Sequence, residues 1–219
     1  PFHIGHLMSN TIGESLSRLV EYAGADIQRA NYQGDVGPHV AKAMVGIQKI
    51  MHDENLQFEE IQQWSNKDKA HFLGRGYAEG NKLYDSGEMK TEIDNMNAFL
   101  YQKIANTEQK SSFRPEEQEK IWNLYQETRT WSLGYYDDFY KQFSTQFDRL
   151  FFESEMAAAG KKIVEDNIGK VFTKNTDGSV TLSKETSGLH TRVFITQGGY
   201  PTYEGKEMAN ACKEWEIFH

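Results

Sequence analysis

The tetrapeptide His3-Ile4-Gly5-His6 holds more chemistry in fewer residues than any other part of this chain. Two histidines three apart at the start of a helix offer two imidazoles on one side. The helix end adds unpaired N–H groups and roughly half a positive charge. Anionic phosphate suits that arrangement. Gly5 has no side chain, so a flat base or a backbone can come close. Three plainer readings share the pattern: a metal site without an obvious third ligand, a pair of surface histidines, and a remnant of a purification tag.

The elements that must position these residues follow from hydrophobic spacing. Leu7 to Ala23 reads as a helix, with Leu7, Ile12, Leu16, Leu19, Val20 and Ala23 near one face and Gly24 as its left-handed stop. Ala25 to Tyr32 reads as a strand running into the glycine-punctuated loop Asn31-Tyr32-Gln33-Gly34-Asp35-Val36-Gly37. A helix from about His39 to Asp53 follows, striped by Val40, Met44, Ile47 and Met51. Helix, strand, loop and helix in that order suggest a doubly wound α/β unit. The strand expected before the first helix is missing, so the unit is read as cut, or as completed from outside the chain. From about Phe58 to Trp131 the chain turns polar, with helical stripes at Ile93, Met96, Leu100 and Ile104 and at Ile121, Leu124, Thr128 and Trp131. Pro115 with Glu116 and Glu117 reads as a helix start. Past Leu133, strands are expected at Arg149–Glu153 and Arg192–Thr196, a helix at Ala157–Ile168, and a hairpin from Val171–Thr173 to Val180–Leu182 around Asn175-Thr176-Asp177-Gly178. Thr202 can cap a helix from Tyr203 to about Cys212. Three parts result: residues 1–57, a helical insertion at 58–132, and residues 133–219.

Composition narrows the function classes. Lys plus Arg number 24 against 32 Asp plus Glu, a formal charge of −8, which excludes a uniformly basic nucleic-acid coat but not a local basic groove. No run approaches the roughly 18 apolar residues of a membrane helix, so no membrane partner is expected. The single cysteine, Cys212, excludes an internal disulfide framework and a cysteine-based zinc site. No signal-like segment opens the chain, and a cytoplasmic setting is the expectation.

PFHIGH followed by LMSNTIGESLSRLVEYAGADIQRANYQGDVGPHVAKA resembles the catalytic core of a class I aminoacyl-tRNA synthetase, and more narrowly an arginyl-tRNA synthetase. That family carries a HIGH signature opening a helix, an Ile-Gly soon after (Ile12-Gly13), and an N-x-x-GD-x-G loop (Asn31, Gly34, Asp35, Gly37). About 190 residues on, Leu189 to Phe194 and Pro201-Thr202-Tyr203-Glu204-Gly205-Lys206-Glu207 resemble the family's strand, turn and substrate helix, and Phe152-Glu153-Ser154 matches between them.

The resemblance implies a Rossmann-like (HUP-type) α/β core, a parallel sheet flanked by helices, with a mostly helical insertion and a missing first strand. It implies activation of L-arginine by ATP to arginyl-adenylate and transfer to tRNA(Arg), with Mg²⁺ accompanying ATP and no structural metal in the protein. His3 and His6 become the catalytic phosphate-binding pair, with adenine beside Gly5. Asn31, Asp35, Tyr203 and Glu207 become the arginine site. Tyr203 and Glu207 are four apart and share a helix face; a carboxylate can grip a guanidinium bidentately beside a phenol. Many members have Asp where this chain has Glu207. Set against these roles, Glu207 can face solvent beside a partly buried Tyr203, and Asn31, Gly34 and Asp35 can be turn residues. The KMSKS-type lysine motif and the tRNA-binding domains are not found here; they are expected outside the chain, as are most contacts to tRNA(Arg). The expectation is therefore an incomplete catalytic domain, weak or inactive by itself. The alternatives are a truncated or inactive synthetase-like module that holds nucleotide or a partner, and another class I HxGH adenylyltransferase.

Overall fold

The structure is a computed structural model that describes residues 3–106, 111–183 and 187–218. The elements run α1 (Ile4–Tyr22), β1 (Ala30–Gln33), α2 (Pro38–Asp53), α3 (Phe58–Gln62), α4 (Asn66–Asp85), α5 (Lys90–Ile104), α6 (Pro115–Gln142), β2 (Arg149–Phe152), α7 (Glu153–Asp166), β3 (Thr173–Lys174), β4 (Val180–Leu182), β5 (Arg192–Ile195) and α8 (Tyr203–Phe218). They form two compact units. One comprises Pro1–Ala30, Val36–Gln102 and Glu108–Arg149; the other comprises Asn31–Asp35, Lys103–Thr107 and Leu150–His219.

The first unit is helical. Met44, Ile47 and Ile50 of α2, Phe72 and Leu83 of α4, Ile93, Met96 and Leu100 of α5, and Ile121, Leu124 and Trp131 of α6 form its buried interior. The stripes read from the sequence in α2, α5 and α6 are therefore core faces, including Thr128, whose hydroxyl donates to Leu124 O at 2.8 Å. Glycines set the crossing of α2 and α4. A Cβ on Gly46 would run into the backbone of Gly76, and one on Gly80 into the backbone of Lys42. Helix α6 continues unbroken through residue 132 to Gln142.

Helix α1 forms as its spacing predicts, yet it buries no residue. Ile12 (52%), Leu16 (56%) and Leu19 (65%) keep their stripe exposed among the described residues. What holds α1 in its unit is polar: Asn10 Nδ2 donates to Thr145 Oγ1 at 2.9 Å, and Arg18 Nη2 to Ser144 O at 2.7 Å.

The second unit mixes strands and helices. β1 and β2 form a small two-stranded parallel sheet. β1 begins at Ala30, five residues later than the sequence suggests; just before it, Arg29 O accepts from Asp148 N–H at 2.8 Å and from Arg149 N–H at 3.2 Å. β3, β4 and β5 form an antiparallel sheet, so the parallel arrangement does not extend to these strands. The hairpin forces this, because a tight turn can join only antiparallel strands. Gly178 takes φ 90° in that turn and Asn175 N–H donates to Ser179 O at 2.8 Å. Val164 of α7 and Phe172, Val180, Phe194 and Ile195 make one buried cluster. Phe151, Met156 and Ala209 make another, against which Tyr32 and Phe218 pack. Helix α7 starts at Glu153, earlier than its apolar periodicity indicates, and α8 runs on to Phe218.

Candidate functional site

The first group of predicted residues lies on the end of α1. His3 is the N-cap, and its ring Nδ1 accepts from Gly5 N–H at 3.1 Å. His3 N–H in turn donates to His6 Nδ1 at 3.2 Å. Each ring therefore spends its Nδ1 as an acceptor, which puts the proton of the neutral imidazole on Nε2. The rings lie together with centroids 3.9 Å apart. Burial, and then repulsion between the two imidazoles, hold the His6 pKa below the ordinary histidine value, which favours the neutral His6 ring. A Cβ on Gly5 would meet only the His3 ring, at 2.9 and 3.0 Å. The arrangement can donate hydrogen bonds to an anionic oxygen at a helix N-terminus.

The second group lies in the second unit. Thr202 caps α8 as its sequence suggests: its hydroxyl donates to Val193 O at 2.7 Å and accepts from Gly205 N–H at 3.3 Å. Gly205 makes the position of α8 possible. A Cβ there would strike Phe194 O of β5, and a Cβ on Gly160 of α7 would strike Gly205 O. With backbones this close, the first turn of α8 sits against α7 and β5. Tyr203 and Glu207 then share a face and are hydrogen-bonded to each other. Burial pushes the Glu207 carboxyl above the usual carboxylate range, with Glu214 and Glu153 adding repulsion.

Asp35 is buried, and both its oxygens are engaged at the start of α7. Ser154 N–H donates to Oδ1 at 2.8 Å, and Ser154 Oγ to Oδ2 at 2.7 Å. Asp35 thus ties the glycine-rich loop to a helix N-terminus, as well as adding negative charge there. Asn31 stands in β1, half-buried.

The structure also brings together residues that sequence reasoning did not assign to a site. Glu153 and Lys206 form a buried ion pair between α7 and α8, with side chains 8% and 5% exposed. The rings of Tyr32 and Tyr203 lie with centroids 6.0 Å apart, tilted by 51°. Burial, and then the charges of Glu153 and Glu207, raise the Tyr32 phenol far above its ordinary value. Glu153 and Lys206 both lie inside motifs that carry the resemblance, Phe152-Glu153-Ser154 and Pro201 to Glu207, where the signal is a charged residue in a segment expected to be packed. Tyr32 gave no such signal. The second unit therefore gathers buried Asp35 and Glu153 and half-buried Glu207 around Tyr32, with exposed Tyr203 beside Glu207 and Lys206 as the cation paired with Glu153. An open cleft of about 340 Å³ lined by Trp64, Asp68, His71, Phe72 and Arg75 in the first unit contains none of the predicted residues.

The α/β chain carries a histidine-capped helix end in one unit and a carboxylate–tyrosine cluster in the other. The family described as tRNA synthetases class I (R), catalytic domain, matches residues 1–219, and the chain belongs to it. The curated relatives it matches are arginine–tRNA ligases. That of Treponema denticola is 27% identical over 219 residues, covering 98% of this chain and 34% of that protein. That of Borreliella afzelii is 28% identical over 228 residues, covering 100% and 36%. The chain thus spans about a third of the length of these relatives. A solved Campylobacter jejuni chain, provisionally described as an arginyl-tRNA synthetase, superimposes with a TM-score of 0.60 at 14% identity, covering 99% of this chain and 42% of that one. At that identity the likeness shows the fold alone, the class I catalytic-domain fold that the motifs imply. Among the described residues no helix is long and apolar enough to cross a membrane.

Proposed function

We propose that this chain is the arginine-activating core of an arginine–tRNA ligase. In the first step an oxygen of the arginine carboxylate attacks the α-phosphorus of ATP. The bond to the β-phosphate side breaks, and arginyl-adenylate and pyrophosphate form. In the second step a hydroxyl of the terminal adenosine of tRNA(Arg) takes the arginyl group and AMP leaves. Neither step needs a covalent bond to the protein; both need alignment and stabilisation of charge on phosphate oxygens. His3 and His6 supply Nε2–H donors to those oxygens, Gly5 leaves room for the adenine, and Mg²⁺ arrives with ATP as its counter-ion. Most contacts to tRNA(Arg) fall on parts of the ligase outside these residues, and the reaction runs in the cytoplasm. Residues 1–57 and 133–219 act as the two halves of the core, with 58–132 as an insertion between them.

The arginine side chain is assigned to the second unit's cluster. Glu207 grips the guanidinium, Tyr203 packs beside it and orients Glu207, and Asn31 and Asp35 line the pocket from β1 and its loop. One observation carries this reading: Lys206 already neutralises Glu153, which leaves Glu207, its pKa raised by burial, as the carboxylate that gains most from one added cation. The test is ATP–pyrophosphate exchange with each amino acid in the presence of tRNA. Exchange led by arginine, and lost in His6→Ala with arginine binding intact, supports the assignment. Exchange led by another amino acid overturns it, and ATP binding with no exchange points to a nucleotide-holding module.

A further inference from the structure

Resting on the reading just given, we propose that Asn210 is a further specificity-determining residue of the arginine site, its side-chain carbonyl accepting an N–H from the cationic side chain of the substrate.

Asn210 lies on α8, three and four residues beyond Glu207 and Lys206, so it continues the face that carries the cluster. It is 3% exposed. Its Nδ2 donates to Glu214 Oε1 at 3.0 Å. Glu214 in turn is close enough to Glu207 to raise its pKa, which joins Asn210 to the carboxylate group. The Oδ1 of Asn210 is buried and has no hydrogen-bond donor among the described residues. Turning the amide over does not relieve this. It would set Oδ1 against Glu214 Oε1, acceptor against acceptor, and strand the NH₂ group instead. The orphan is therefore an acceptor, and the group that fits it is a donor.

A buried acceptor without a partner lowers stability, and native proteins retain few of them. Four buried side-chain polar atoms lack a partner among the described residues, on Asn10, Tyr32, Asn97 and Asn210. Tyr32 Oη and Asn210 Oδ1 are the two in the second unit, and Glu207 is charge-coupled both to Tyr32 and to Asn210's partner Glu214. A guanidinium presents five N–H donors in a planar fork, more than one carboxylate can take. With Glu207 holding one edge, an N–H on another edge is left for a neutral acceptor. An ammonium group, with three donors at a single point, reaches fewer fixed acceptors. Asn210 therefore separates arginine from lysine as well as adding affinity.

The test uses Asn210→Leu, which removes the orphan and nearly keeps the volume, alongside Asn210→Ala and Asn210→Asp. L-Arginine and L-lysine are titrated calorimetrically, with ATP as control, and thermal melts are recorded. A lost hydrogen bond to a charged donor predicts arginine binding about ten- to a hundredfold weaker in Asn210→Leu. The same change predicts an unchanged or higher melting temperature, unchanged ATP binding and a smaller arginine-over-lysine ratio. Asn210→Ala loses arginine affinity as well but melts lower, because it leaves a cavity. Asn210→Asp keeps an acceptor oxygen and keeps arginine binding. Unaltered arginine affinity in Asn210→Leu or Asn210→Ala, with a lower melting temperature, overturns the inference and leaves Asn210 a structural residue. Failure of the unaltered protein to bind arginine overturns the reading of the site, and the inference with it.

Discussion

The helix end at His3-Gly5-His6 and the cluster around Glu207 are built in opposite ways. The first is local. Residues three apart cap their own helix, solvent reaches them, and Gly5 faces nothing harder than the His3 ring. The second is assembled from β1 and its loop, the start of α7 more than a hundred residues later, and the first turns of α8 further on again. Its charges are buried, or half-buried at Glu207, and two helix backbones must touch for it to exist at all. A local site tolerates change and reads directly from a motif. A non-local site depends on packing, and packing sets its electrostatics.

Glycine substitutions should show the difference most strongly. Gly205→Val puts a branched side chain against Phe194 O, an atom of backbone that cannot swing aside. Destabilisation above about 3 kcal/mol is expected, read as loss of the cooperative melt. Gly5→Ala should stay within about 1 kcal/mol of the parent, because the His3 ring can move and Ala favours a helix. A well-folded Gly205→Val protein would show that α7 and α8 do not need the close crossing.

Next in size is the buried ion pair. Lys206→Met leaves Glu153 charged and alone among α7 and α8, and should cost about 3–5 kcal/mol. Glu153→Gln with Lys206→Met should recover most of that, since two neutral groups bury more cheaply than one bare charge. Denaturant melts of the single and double variants decide it. If the double variant is as weak as the single one, the pair does more than cancel charge.

A smaller effect is expected from pH. Burial raises the Glu207 pKa, so the folded state holds this proton more tightly than the unfolded chain. Its contribution to stability is present at low pH and is lost as pH rises through the raised value, in a window above 4.5. A bound cation needs the carboxylate, so arginine affinity should fall as pH is lowered through the same window. Titrations at a series of pH values should show that slope in the parent and a flat line in Glu207→Gln. A slope that survives the substitution would assign the proton to another group.

How far the sequence could be read follows the same division. The stripes Ile93-Met96-Leu100 and Ile121-Leu124-Thr128-Trp131 are buried faces, and Thr202 caps its helix, because each depends on neighbours within one or two turns. The His3–His6 pairing was legible for the same reason. Less could be seen where burial comes from elsewhere. The stripe of α1 suggested a packed helix, yet it lies exposed, since periodicity shows which face is apolar and not what covers it. Asp35 read equally well as turn chemistry; its bonds to Ser154 come from a residue 119 positions away. Tyr32 and the Glu153–Lys206 pair became visible once β1, α7 and α8 were placed.

A carboxylate of the second unit is expected to select a positively charged guanidinium. L-Citrulline has nearly the shape of L-arginine without the charge, so titration of both into the protein and into Glu207→Gln tests that claim most directly. Arginine should bind at least about a hundredfold more tightly than citrulline, with that preference collapsing in Glu207→Gln while ATP binding is unchanged. Equal binding of arginine and citrulline by the parent protein, or an arginine preference untouched by the substitution, would contradict it.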